Sequence, residues 1–229
     1  MSEADGPRLA KLVERAVRIF EETLPPEELD AAKCAILNDL TCAAVATGPV
    51  LHKAEAFTGT TTALPDDVAT VLGTGSRHNA AEAAFLGGIR MHAHALDSTH
   101  YASQAHLGAA IIPAAMAIAE ERRATGSELV AAIVAGWETA ALIGETFVNG
   151  VLARGLRAST TFGTIGSATA AALTAGLTAR ETADAIALSA NLSAGLTRTF
   201  LDGSDDWAVQ LGLQILNGQV VSGSRVRPV

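Results

Sequence analysis

The sequence predicts an all-α protein, and three features carry that expectation. Apolar residues make up 49% of the chain and aromatics only 4%, so Ala, Leu, Ile and Val must fill the interior by close packing, which suits helices better than sheets. Apolar positions recur at steps of three and four along most of the chain, and no run alternates as a half-buried strand would. Charged residues reach only 17%, below the roughly 25% of an average soluble domain, so part of the surface is expected to lie under a second copy of the chain. Residues 1–229 are expected to form one multi-helix bundle.

Leu9, Leu12, Val13, Ala16, Val17 and Phe20 give the first amphipathic helix, which Pro25 and Pro26 end. A second helix is predicted from Pro26 to Ala46, with acidic residues in its first turn where the helix dipole favours them. Between Thr47 and Gly75 the pattern fades, and a single short helix is placed at 66–71. Helices then follow at about 79–97, 105–124, 127–148, 159–175, 180–195 and 205–221. Ser127 is the expected cap of the third of these. Thr178 with Glu181 forms a capping box, and Ser204 is read as the cap of the last helix, with Asp205 and Asp206 in its first turn. The uncharged stretch from Ala158 to Ala179 is long enough to span a bilayer, but its Ser, Thr and Gly content marks a buried helix with small-residue contacts. Trp137 and Phe147 are assigned to the core.

The net charge of -8 argues against nucleic acid, since phosphate binding needs a basic patch and Arg122–Arg123 is an isolated pair. No membrane association is expected. Cys34 and Cys42 share one helical pattern and make no disulfide framework, and the charged start has no signal-peptide block, so a cytoplasmic location is expected.

The chemistry concentrates in "HAHALDSTHYASQAH", residues 92–106, which holds four of the six histidines and the one tyrosine. Extended as a helix, it would put His94, Asp97 and Tyr101 on one stripe and turn His92 nearly opposite. Any one of these histidines reads most simply as a surface group, but four beside an aspartate are costly to bury unless a function retains them. Their spacings of two, six and six contain no HxxxH or HExxH pattern, so no metal is expected. The chain has no GxSxG elbow, neither cysteine lies near a histidine, and "GTGS" at 73–76 lacks the GxGxxG spacing. What remains is proton transfer between imidazole and carboxylate.

The stretch "AEAAFLGGIRMHAHALDSTHYASQAHLGAAIIPAAMAIAEERRATGSELVAAIVAGWE" resembles the helical core of the MmgE/PrpD family, as does "GLRASTTFGTIGSATAAALTAGLTARETADAIALSANLSAGL". That family includes 2-methylcitrate dehydratase, cis-aconitate decarboxylase and iminodisuccinate epimerase. The resemblance covers about residues 30–222. It implies an all-helical domain, a homodimer and acid–base chemistry without a cofactor, acting next to the carboxyl or carbonyl of a small organic acid. Asp97 matches the aspartate of the family's "HALDFDD" segment, His106 the histidine that follows it, and His94 the first histidine of the segment. Three departures stand out. "DSTHY" replaces "DFDDTH", Arg157 occupies a family histidine position, and Trp207 or a neighbour stands where the family has a lysine.

On this reading the chain is a lyase or isomerase performing dehydration, decarboxylation, epimerisation or cyclisation. His106 is general acid or base, Asp97 orients it, His100 assists, and Tyr101 donates to a developing oxyanion. His94, Arg157, Thr160 and Arg198 are the expected substrate contacts, although capping the following helix or packing at a helix interface is the simpler reading of Thr160. The family's α/β lid is missing from the expected domain, so either the helical domain acts alone or a separate subunit completes it. The competing reading is a non-catalytic helical subunit or binding protein paired with such a lid-like chain.

Overall fold

The computed structural model describes residues 6–58 and 69–223, and among them it is all-α apart from two minimal hairpins. The helices are α1 (Gly6–Glu21), α2 (Pro26–Ala44), α3 (Pro49–Thr58), α4 (Ala80–His92), α5 (Gly108–Arg122), α6 (Gly126–Ala153), α7 (Ala158–Thr174), α8 (Ala179–Leu192), α9 (Arg198–Asp202) and α10 (Trp207–Gly223). The strands β1 (Ala69–Thr70) and β2 (Arg77–His78) pair antiparallel, as do β3 (Thr99–His100) and β4 (Ala105–His106).

At the centre lies α7, buried along nearly its whole length and packed against α5, α6, α8 and α10. Small residues permit that crowding. A Cβ on Gly163 would stand 2.7 Å from Ala110, and one on Gly166 would stand 2.5 Å from Ile111, so α5 and α7 meet backbone to side chain with no room for a methyl group. The expected reading of this apolar stretch as a core helix holds. By length and composition α6 could cross a bilayer, but here it lies along α1, α5 and α7.

Several boundaries differ from the sequence expectation. The helix expected to run to residue 97 ends at His92, because Ala95 adopts a left-handed conformation (φ 52°) that no glycine or proline announces. The helix expected from 105 begins at Gly108, since Ala105 and His106 are taken into β4. Thr125, not Ser127, caps α6, making a capping box with Glu128; the Thr178–Glu181 box is present as expected. Ser204 does not cap α10, which starts only at Trp207. Instead Asp206 gathers the hydroxyls of Ser204 and Thr199 ahead of the helix. In the loop-rich section a helix forms at α3, which the faded periodicity concealed. Of the short helix expected at 66–71, residues 66–68 lie outside the described residues and Ala69–Thr70 is strand. Trp137 is half-buried against the core, but Phe147 is 58% exposed on α6.

Candidate active site

Where α4 stops, the chain turns through Ala93–Ser98 and enters the β3–β4 hairpin, with Thr99 opposite His106. Three elements hold this segment down. Asp39 of α2, fully buried, accepts the Ser98 N–H at 2.7 Å. Ser159 at the start of α7 accepts the His106 N–H at 3.0 Å. The hairpin tip seats Ser103 against α6, where a Cβ on Gly144 would lie 2.4 Å from the Ser103 Cβ. Asp39 is fixed in turn by the entry to α5, since a Cβ on Gly108 would come within 1.8 Å of its Oδ2.

The turn brings His92 and Asp97 together, which a continuous helix would have kept apart. Nδ1 of His92 lies 2.7 Å from Asp97 Oδ1, and Nδ1 of His106 lies 3.2 Å from the same oxygen. The two imidazoles meet edge to face with centroids 4.8 Å apart, and Trp207 stands edge-on to His92 at 4.9 Å. On the far side of His92, Nη2 of Arg157 reaches Nε2 at 2.5 Å, while Nη1 donates to the Trp207 carbonyl. The guanidinium also lies 5.1 Å from the Phe200 ring centroid.

Proton positions follow from one chemical constraint. A guanidinium only donates, so Nε2 of His92 accepts and its single ring proton sits on Nδ1, pointing at Asp97. His106 Nδ1 faces both Asp97 and the Thr99 hydroxyl, and Thr99 itself donates to the Asp97 carbonyl at 3.3 Å. His106 therefore carries its proton on Nδ1 when neutral, leaving Nε2 as the open lone pair on a side chain that is 25% exposed. Burial pushes the Asp97 carboxyl up, but the hydrogen bonds from His106 and His92 outweigh it and hold the group well below the usual carboxylate range. Burial lowers His92, more than Asp97 raises it, so this ring stays neutral. Burial likewise pulls Arg157 down to about 10, where it is still a cation at neutral pH. Asp39, raised by burial against the hydrogen bonds from Ser98, sits near enough to feel the Asp97 charge.

His92, Asp97 and His106 are also three groups that could hold a metal ion, with one ligand atom of each lying within 4.8 Å of the others. That arrangement requires a free lone pair on each imidazole. For His92 the Nδ1 lone pair is occupied by the proton that Arg157 forces there.

The other sequence candidates are dispersed. His94, expected on the Asp97 stripe, is exposed with Nε2 against the Thr47 N–H at 3.3 Å, because the left-handed turn at Ala95 redirects the chain after it. Tyr101, expected as an oxyanion donor, sits at the hairpin tip and is 93% exposed. His100 bonds Ser103 at 2.9 Å and approaches Glu145 of α6 at 3.5 Å, in a strand where neighbouring side chains point to opposite faces. Arg198, expected to bind a carboxylate, is paired with Asp202 at 2.8 Å near the surface. Thr160 is fully buried, bonds the Arg157 carbonyl and packs against Gly195. Arg157 is 4% exposed and spends both terminal nitrogens inside the protein. Reading the segment as a helix missed His92, and a single sequence gave no signal for Asp39, one acid among several on a predicted helix.

Compared with known proteins, residues 9–220 match the family profile described as the MmgE/PrpD N-terminal domain. No curated protein matches the chain.

Proposed function

The chain belongs to the MmgE/PrpD N-terminal domain family, and from that premise we propose that it is a lyase or isomerase that moves a proton at a carbon beside the carboxyl or carbonyl of a small organic acid. One observation supports this above the others. A buried Asp97, held ionised, accepts from Nδ1–H of His92 and has Nδ1 of His106 3.2 Å from the same oxygen, leaving the other ring nitrogen of His106, on a side chain that is 25% exposed, as the open lone pair of the cluster.

In this reading Nε2 of His106 takes the proton, and Asp97 stabilises the imidazolium that results without itself being protonated. His92 stays neutral and acts as a spacer between Arg157 and Asp97. The same His106 can pass the proton to a leaving hydroxyl on its own face of the substrate (dehydration), whereas epimerisation requires a second acid on the opposite face of the carbon. Trp207 and Phe200 supply apolar walls beside the cluster. Dimerisation and a separate lid subunit belong to this reading as proposals. Sedimentation of the purified chain tests the first, and co-purification of a second α/β chain tests the second.

The test is proton NMR on small di- and tricarboxylic acids incubated with the full chain in D2O. Expected are a new product or deuterium beside a carboxyl, at a rate that His106→Gln lowers by ~10²–10⁴-fold. Equal rates in both proteins would remove His106 from the chemistry. An inert wild-type chain that becomes active with a co-purified partner would favour the subunit reading.

A further inference from the structure

The triad of His92, Asp97 and His106 has the composition of a two-histidine, one-carboxylate metal centre, yet its surroundings are wrong for one. A metal-bound imidazole donates its other N–H to a carboxylate, carbonyl or water. His92 instead faces a donor, Nη2 of Arg157 at 2.5 Å. If Nδ1 bound a cation while Nε2 accepted from Arg157, the ring would have to be an imidazolate wedged between two positive charges.

We infer that Arg157 is the positioning residue that decides what this triad is: by donating to His92 Nε2 it locks the Nδ1–H tautomer, ties the ring to Asp97 and keeps divalent cations of the zinc class out. The assignment goes beyond the acid–base reading, for Arg157 plays this part with or without a substrate at His106. The built environment agrees with it. Arg157 is 4% exposed, its other terminal nitrogen is fixed on the Trp207 carbonyl, and its backbone amide is anchored on the Gly195 carbonyl at 3.0 Å, so moving the donor away from His92 would also cost the bond to Trp207. The charged and titratable groups facing it are Asp97, Asp206 and His92. Arg157 balances the Asp97 carboxylate that a metal would otherwise neutralise.

Two measurements test the inference, and neither needs a substrate. Long-range proton–nitrogen NMR on the wild-type chain should show His92 with a protonated Nδ1 and a bare Nε2; a protonated Nε2 would overturn the assignment. Cobalt(II) titration of the full chain, read by visible absorption, should give no ligand-field bands for the wild type at one equivalent. Arg157→Met, which keeps length and removes the donors, should bind one equivalent at least ~10–100-fold more tightly. That binding should vanish in Arg157→Met/His106→Gln. Arg157→Gln, whose amide oxygen can accept from Nε2–H, is the second variant should Arg157→Met fail to fold. Wild-type binding as tight as in a folded variant, or no binding in either variant once folded, would overturn the gate. Failure of the organic-acid reading would leave both measurements untouched.

Discussion

Helix α7 and the segment from His92 to His106 both bury polar side chains, and they satisfy them in opposite ways. In α7 the hydroxyls of Thr164, Ser167, Thr169 and Thr174 each bond the carbonyl one turn back in the same helix, at 2.5 to 2.9 Å. Such groups cost little to bury, because their partners come with the helix. Around Asp97 the direct partners, His92 and His106, lie in other elements, and the groups that hold the segment in place come from far along the chain. Arg157 reaches from 65 residues away, and Asp39 holds Ser98 from 59 residues away. Two carboxylate oxygens there, Asp39 Oδ2 and Asp97 Oδ2, are buried without a hydrogen bond among the described residues. Local satisfaction makes a scaffold; satisfaction that needs the whole fold is found where the proposed function places its chemistry.

Substitutions in the two regions should therefore separate in size. The largest effect is expected for Asp97→Ala, which strips the buried His92–Arg157 network of its carboxylate and leaves the Arg157 cation facing only Asp206. Urea unfolding should show a loss of ~3–5 kcal/mol, and a loss under ~1 kcal/mol would mean the pair is solvated and the contrast is lost. Next comes Gly108→Ala. Its methyl would overlap Asp39 Oδ2 at 1.8 Å and push away the group that anchors Ser98, costing ~1–3 kcal/mol by thermal unfolding. Gly126→Ala has nothing within 4 Å of the new methyl and should instead stabilise by ~0.4–1 kcal/mol.

A pH series sharpens the same contrast. Because the folded chain binds the His92 proton less readily than the ordinary value of 6.5, below that pH the unfolded chain takes up a proton that the folded one refuses. Stability should then fall with acidification by up to ~1.4 kcal/mol per pH unit. Asp97, held ionised in the fold, adds a further loss below about pH 4. His92→Gln, able to accept from Arg157 and donate to Asp97, should flatten the limb between about pH 6.5 and 5 and keep the acid limb; an unchanged slope would show that another group carries it. The smallest effect belongs to α7. Thr169→Val removes a hydroxyl whose acceptor, the Ile165 carbonyl, lies within the same helix, and should shift stability by under ~1 kcal/mol.

The scaffold was legible in the sequence for the reason that α7 is inexpensive. Its periodicity, small residues and capping box at Thr178 are local signals, and they predict local structure. The site was half legible. Clustering of histidines around Asp97 points to the segment that the fold draws together, and family likeness points to His106 within it. The geometry was not legible, because the turn after His92 is made by an alanine at φ 52° and the hairpin turn by a glutamine at φ 51°, where sequence rules look for glycine or asparagine. With the stop invisible, the helical pattern runs on through residue 97, which puts His94 and Tyr101 beside Asp97 and turns His92 away from it. From the sequence Arg157 reads as a substrate clamp, since its partners, His92 and the Trp207 carbonyl, are set only by the tertiary fold.

The contrast between buried and exposed members of the segment comes down to one comparison of rates. On whichever organic acid the wild-type chain turns over, Asp97→Asn and His106→Gln should each lose ~10²-fold or more, while His100→Gln and Tyr101→Phe stay within about threefold of wild type, a margin under ~1 kcal/mol. If Tyr101→Phe or His100→Gln loses as much as His106→Gln, the chemistry lies on the exposed face of the hairpin and the Asp97 cluster is structural.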